Sequence, residues 1–328
     1  VRIAFRAPNW LGDAVLATVV PPALRRADPA ATVHVVAPAW LADVYARHPA
    51  VDGIAAFEPG GEVDAYRRGG YDRVLLGPTS FGSAWRARRG RARRLLGFAT
   101  SGRGFLLAAR RPGSEYRRDR HQVENYRALA ALAGEPHASD EPQVSLDPAW
   151  RAEAAELWGA AARPRVVLQP GATYGPAKRW RAERFAEVAR ALAARGAAVA
   201  VVGGPGDADE VRAVRERAPV LDLGGRTRVG VLAAVLEGAD VAVTNDTGPM
   251  HLAAAVGTPT VAIFGSTSPA WTGPRGERHR IVRHPVPCAP CFRRDCRIGY
   301  LCLEGVGAPR VLGEVLAVLE DRAGRGRE

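Results

Sequence analysis

Arg165-Val-Val-Leu-Gln169-Pro170-Gly-Ala-Thr-Tyr-Gly175-Pro-Ala-Lys178-Arg-Trp180 opens as a short β-rich run and then breaks into a loop of glycine and proline. The following residues, Ala182 to Ala194, carry helical periodicity, and Ala197 to Val202 reads as the next strand. The stretch therefore opens a βα unit of a parallel sheet. Ligands of such sheets bind outside the carboxyl ends of the strands, which is where this loop lies. It also holds Lys178, the only lysine among 46 basic side chains. A chain that uses arginine everywhere else has drifted away from lysine. The survivor is either chance or a compact point charge on a flexible stem, suited to a phosphate oxygen. Other scarce residues mark two further segments. The single methionine, Met250, and Asn245 fall in Thr244-Asn-Asp-Thr-Gly-Pro-Met-His251, and Asn9 falls in Pro8-Asn-Trp-Leu-Gly-Asp13.

Outward from that loop the same alternation continues. In the second half, Gly203-Gly-Pro-Gly206 ends a strand and helices follow at Asp207 to Arg217 and Val229 to Leu236. A strand at Val241 to Thr244, a helix from Pro249 and a strand at Thr260 to Phe264 come next, with an amphipathic helix at Pro309 to Glu320. In the first half, strands are predicted at Arg2 to Arg6, Thr32 to Ala37, Ile54 to Phe57 and Arg73 to Leu76. Helices are expected from Asp13, Ala39, Glu62 and Phe81 and over His121 to Ala133. Residues 134–148 carry three prolines and little apolar content, which suits the approach to a linker. The reading is α/β, with two similar halves whose loops face a cleft.

A chain of 328 residues with 47% apolar and 24% charged side chains is long enough for two cores and reads as a globular protein. No apolar run approaches the length of a bilayer span. Val1 to Phe5 reads as a strand and not as a leader, so the expected compartment is the cytoplasm. The net charge of +12 points to acidic partners. The arginines at 86–94, 110, 111, 117, 118 and 120 are either solvated faces or a surface for anionic substrate or lipid. Aromatics do not interleave with them as a single-strand stacking platform requires, so no nucleic acid is expected.

Five segments bear on the chemistry. At Thr244 to Gly248 a strand runs into a helix. Outward N–H groups at a helix start can hold a diphosphate around Thr247 and Gly248, although an ordinary N-cap accounts for any one residue. Asp246 and His251 add polar groups that capping does not need. The loop with Lys178 is no Walker sequence, and Gly203 to Gly206 is no dinucleotide fingerprint. Asp207, Asp209 and Glu210 could meet ribose hydroxyls or serve as first-turn helix acids. In the first half Asp13 is either a first-turn acid or a general base, with Gly12 allowing close approach. Cys288, Cys291, Cys296 and Cys302 contain every thiol in the chain. Gathered in one loop of a cytoplasmic protein they favour a metal site over disulfides, and tetrahedral zinc over an iron–sulfur cluster, though the spacing is looser than paired C-x2-C knuckles. Such a zinc would pin the loop and take no part in catalysis.

Together these segments resemble glycosyltransferase family 9, the heptosyltransferases, and most closely its ADP-heptose:lipopolysaccharide heptosyltransferase II enzymes. The likeness runs through Ala7 to Asp13, Pro170 to Trp180, Val243 to Ala255 and Phe264-Gly-Ser-Thr-Ser-Pro269, in order, over nearly the whole chain. It implies a GT-B fold of two Rossmann-like domains: residues 1–148 for the acceptor, 149–308 for the sugar nucleotide, and a last helix, 309–328, packing back toward the first domain. It implies further that Asp13 deprotonates the acceptor hydroxyl, beside Asn9, Trp10 and Gly12. Thr173 and Lys178 would face the donor diphosphate, with Asp246, Thr247, Gly248 and His251 lining the rest of the ADP-heptose site. The implied reaction is an inverting displacement that needs no cofactor, on a phosphorylated lipopolysaccharide core, by an enzyme that leans on the anionic inner membrane. Competing expectations are another family 9 acceptor, a GT-B sugar-nucleotide epimerase, or a basic module that binds polyanions without turnover.

Overall fold

The computed structural model describes residues 1–134 and 140–325 and divides into two compact units, 1–145 and 146–328. The expected linker approach lies at this division, and its residues 135–139 are outside the described ones.

The first unit is built on six parallel strands: β1 (Arg2–Arg6), β2 (Thr32–Pro38), β3 (Gly53–Phe57), β4 (Arg73–Leu76), β5 (Arg94–Ala99) and β6 (Ala109–Pro112). Their order across the sheet is β3-β2-β1-β4-β5-β6. The central strands are apolar on both faces, as a sheet covered by helices on both sides demands: Ile3, Ala4, Phe5, Val33, Val35, Val74 and Leu75 are all buried. The covering helices are α1 (Leu11–Leu16), α2 (Val20–Ala27), α3 (Glu62–Gly69), α4 (Phe81–Arg89) and α5 (Gln122–Ala130). The turn expected to start a helix at Ala39 is a 3-10 helix, Ala39–Val44.

The second unit repeats the plan. Its helices are α6 (Pro148–Trp158), α7 (Ala182–Ala193), α8 (Ala208–Arg215), α9 (Val229–Glu237), α10 (Gly248–Ala255), α11 (Pro269–Thr272), α12 (Leu301–Glu304) and α13 (Ala308–Arg325). Its strands are β7 (Arg165–Gln169), β8 (Ala198–Val201), β9 (Leu221–Asp222), β10 (Val241–Asn245), β11 (Thr260–Phe264) and β12 (Arg280–Arg283). The order β12-β11-β10-β7-β8-β9 is that of the first unit, counted from each unit's own first strand. Both units thus have the Rossmann arrangement, in which the strand order reverses beside the first strand and opens a crevice at its carboxyl end.

Four strands escape the periodicity reading: β5, β6, β9 and β12. Three of them are sheet edges, where charge is favoured because it discourages further pairing, and β6 and β12 each carry two arginines. Helix α6 is also unforeseen. Asp147 caps it by accepting from the Ala149 N–H at 2.9 Å, and Trp150 and Trp158 bury its inner face. The apolar stripe of the last helix, Val311, Val315 and Val318, lies in the core of the second unit with Val188, Leu192 and Ile263.

Candidate active site

In the second unit the strand order reverses between β7 and β10, and the loops that follow these two strands carry the lysine and the helix start. Asn245, the last residue of β10 and fully buried, joins them. Its carbonyl accepts the Trp180 N–H at 3.0 Å, and its amide donates to the carbonyls of Pro170 (2.7 Å) and Gly171 (3.1 Å). One side chain therefore closes both ends of the loop that carries Lys178. Trp180 seals the far end, with its indole N–H on the Val306 carbonyl at 2.8 Å and its ring edge-on to Phe185.

Lys178 ends a 3-10 turn, Pro176–Lys178. Its ammonium lies 2.7 Å from an Asp246 carboxylate oxygen and 4.9 Å from the centre of the Tyr174 ring. Asp246 is almost wholly buried and also accepts hydrogen bonds from the hydroxyls of Thr267 and Thr272. A carboxylate with so many donors is an anchor, and it holds the ammonium at the start of α10. An ammonium has three N–H donors, so the bond to Asp246 leaves capacity for a ligand oxygen. Thr247 stands at the N-cap of α10 in extended conformation with no side-chain capping bond, and Thr247 and Gly248 are half-exposed. Thr173 is exposed on the Lys178 loop, whereas His251, one turn into α10, is buried.

The three acids near Gly206 have different surroundings. Asp207 is buried, accepts the Gly204 N–H at 3.0 Å, and has a carboxyl pushed up mainly by burial. Its carboxyl presses on Gly171, where an added Cβ would fall 2.0 Å from it. Glu210 is paired with Arg179 at 2.6 Å, and Asp209 with Arg212 at the surface.

The cysteine loop buttresses the lysine loop. Tyr174 donates to the Phe292 carbonyl at 2.6 Å, Arg294 donates to the Tyr174 carbonyl at 2.7 Å, and the Ala177 N–H donates to the Arg294 carbonyl at 3.1 Å. Gly175 (φ 146°) has that carbonyl 2.6 Å from where a Cβ would stand, so both its conformation and its space require glycine. The four thiols are near neighbours: burial first, then Cys291, Cys296 and Cys288, push the Cys302 thiol up. Among the described residues, however, no three His, Cys, Asp or Glu side chains are arranged to hold a metal ion, and Cys288 and Cys291 lie exposed. The zinc expected at these thiols is therefore not shown by this arrangement. Backbone contacts of Phe292 and Arg294 fix the loop.

In the first unit Asp13 sits half-buried in α1, directly after β1. Tyr126 donates to its Oδ1 at 3.0 Å and the Gln122 amide approaches the same oxygen at 3.4 Å. Gln122 is oriented in turn by the Tyr116 hydroxyl (2.6 Å) and the Asn125 amide (3.0 Å). Burial first and the Asp13 charge second hold the Tyr126 phenol well above its ordinary pKa, so it stays a neutral donor. Asn9 is held by Arg6 at 2.7 Å. Arg6 is itself buried, bonded to Glu62 at 2.8 Å and stacked 4.8 Å from the centre of the Phe57 ring. Trp10, at the N-cap of α1, is exposed, and Gly12 is half-buried.

The structure thus brings Lys178 and Asp246, two of the residues expected at the site, into one cluster, with Thr247 and Gly248 next in the chain. The sequence did not mark the residues that position them. Asn245 was conspicuous by rarity and as a polar group the turn does not need, with no positioning role assigned, and Thr267 lay in a segment noted for resemblance without a role. Gln122 and Tyr126 gave no signal, because they reach Asp13 from 109 and 113 residues away.

Comparison with known proteins supplies the family and the fold. The profile of glycosyltransferase family 9 (heptosyltransferase) matches residues 64–301. Lipooligosaccharide heptosyltransferase 2 of Haemophilus influenzae is 30% identical over 86% of this chain and 88% of its own. Lipopolysaccharide heptosyltransferase 2 of Escherichia coli K12 is 30% identical over 97% and 99%. Among solved structures, E. coli ADP-heptose lipopolysaccharide heptosyltransferase II superposes with a TM-score of 0.84 at 27% identity, over 98% of this chain and 100% of that one. A family 9 glycosyltransferase from Veillonella parvula shares the fold at a TM-score of 0.86 and 23% identity. The chain has the GT-B fold and belongs to glycosyltransferase family 9, the heptosyltransferases.

Proposed function

We infer that this heptosyltransferase moves heptose from ADP-heptose to the phosphorylated inner core of lipopolysaccharide, with the second unit holding the donor and Asp13 serving as base. The observation that carries the reading is the Lys178–Asp246 pair, set by Asn245 at the start of α10. As the glycosidic bond to ADP breaks, negative charge grows on the departing diphosphate. Groups already in place stabilise that charge without reorganising, which is how they lower the barrier. Lys178 supplies a full positive charge, and the N–H groups at Thr247 and Gly248 supply the helix start. Asp246 acts through Lys178, since its oxygens are taken by the ammonium and two threonine hydroxyls.

On the acceptor side the Asp13 carboxylate takes the hydroxyl proton as the acceptor oxygen attacks the anomeric carbon opposite the leaving ADP. One displacement inverts the configuration through an oxocarbenium-like transition state. Tyr126 and Gln122 fix the rotation of the carboxylate for this step. Asn9, Trp10 and Gly12 surround the acceptor end, Thr173 adds a hydroxyl on the donor side, and buried His251 backs the start of α10. The enzyme works at the anionic cytoplasmic face of the inner membrane, to which its net charge of +12 is suited. No helix among the described residues is long and apolar enough to cross a membrane.

The test is turnover of ADP-heptose with core acceptors truncated at successive sugars, followed by mass spectrometry. Transfer only to acceptors that already carry a heptose is the expected result. Conversion of ADP-heptose with no acceptor present would point to an epimerase and overturn the reading.

A further inference from the structure

Residues 73–114 contain ten arginines and no Asp or Glu. From this stretch three large aromatic side chains stand out of the surface. Phe81 is 40% exposed, Trp85 48% and Phe105 74%. Exposed apolar residues scattered singly need no explanation, but these are in contact. The Phe81 ring centre lies 6.3 Å from that of Trp85, nearly parallel to it, and 6.2 Å from that of Phe105.

Helical spacing explains half of the patch. Phe81, Trp85, Arg88 and Arg89 stand at i, i+4, i+7 and i+8 of α4 and share one face, while Ser83, Ala84 and Ala87 are buried on the other. The other half is placed by Arg103. Fully buried, it donates to the carbonyls of Phe98 (2.9 Å) and Pro78 (2.6 Å) and to the Ser83 hydroxyl (2.9 Å), which ties the turn bearing Phe105 to the start of α4. The backbone that carries Phe105 is therefore fixed beside α4, and the three rings form one cluster. Arg88 and Arg89 are exposed, and among the described residues neither forms an ion pair.

Clustered exposed aromatics beside unpaired guanidiniums match the boundary of an anionic bilayer. There aromatic rings settle at headgroup depth and arginines meet phosphates. We propose that Phe81, Trp85 and Phe105 insert into the interface of an anionic membrane, with Arg88 and Arg89 on the lipid phosphates. The inference takes from the transferase reading only the membrane location of the work. Its test needs no turnover.

The full chain is sedimented with vesicles of phosphatidylglycerol or of phosphatidylcholine. Preferential binding to phosphatidylglycerol, weakened by salt, is expected. The Phe81→Ser/Trp85→Ser/Phe105→Ser variant and the Arg88→Gln/Arg89→Gln variant should each bind phosphatidylglycerol vesicles about tenfold more weakly, with unchanged thermal melts and unchanged turnover of a short soluble acceptor. Wild-type protein that ignores phosphatidylglycerol, or variants that bind it as wild type does, would overturn the proposal. So would a triple variant that keeps vesicle binding and loses turnover of the soluble acceptor, since the aromatics would then be an acceptor subsite.

Discussion

The two units share one strand order and secure their reactive groups by opposite means. In the first, Asp13 is steadied by side chains reaching over from α5, Tyr126 and Gln122, in a chain of polar groups that continues through Tyr116 and Asn125. In the second, Lys178 rides on a loop fastened mostly through its backbone, to Asn245 at both ends and to the Arg294 segment in the middle. A group held by side chains loses its orientation one bond at a time. A group held by backbone staples keeps its place until the staple goes, and then the loop moves as a whole. The contrast predicts graded effects in the first unit and all-or-none effects in the second.

Removing the reactive groups themselves should give the largest losses. Asp13→Asn is expected to lower kcat by roughly a thousandfold, the scale of general-base catalysis, with ADP affinity by calorimetry unchanged. Lost ADP affinity in a folded variant would break the division of labour. Lys178→Ala should lower kcat/KM by about a hundredfold or more and weaken ADP binding. Lys178→Arg should recover only part of this, because a planar fork fits poorly between Asp246 and the Tyr174 ring. Unchanged kinetics in Lys178→Ala would remove the lysine from the site.

The anchors come next. Glu62 lies buried between Arg6 and Arg86, at 2.8 and 2.6 Å. Burial alone would raise its pKa, but the two guanidiniums outweigh burial and hold the carboxyl below its usual range. An acid with a lowered folded pKa stabilises the fold above its unfolded value and loses that contribution as pH falls through the folded one. Melting curves taken downward from about pH 4.5 should therefore show a drop that Glu62→Gln lacks. At neutral pH the same variant should cost about 3 kcal/mol by leaving Arg6 without its buried partner. Asn245→Ala should cost about 2 kcal/mol by orphaning the Trp180 N–H and two carbonyls. It should also impair the donor side as Lys178→Ala does. Loss of stability with normal kcat/KM would refute the staple.

What could be read from the sequence follows the same contrast. Central strands such as Arg165–Gln169 and Thr260–Phe264 were legible to the residue, since strands buried on both faces are written as apolar runs. Arginine-bearing edge strands such as Arg280–Arg283 were not, because an exposed edge that selects charge loses the apolar run. Lys178 and Asp246 stood out by rarity and by position after a strand. The supports Tyr126, Gln122 and Thr267 did not, as nothing local distinguishes a tyrosine that packs from one that orients a carboxylate a hundred residues earlier. The cysteine spacing was legible only in part: it brings the thiols near one another, while tetrahedral geometry is not something spacing alone can supply.

Tyr126→Phe is the finest probe of the contrast. It removes one 3.0 Å hydrogen bond to Asp13 and leaves the Gln122 contact at 3.4 Å, with the ring and its packing retained. A hydrogen bond to a charged group contributes about 1.5 kcal/mol, so kcat should fall about tenfold while ADP affinity holds. A general loosening of α5 would lower kcat in the same way, and a double-mutant cycle separates the two. If Tyr126 acts by orienting the carboxylate, its substitution in an Asp13→Asn background should lower kcat no further. Additive losses would mean that the tyrosine supports the helix and not the base, and the side-chain mode of holding assigned to the first unit would fail at its shortest contact.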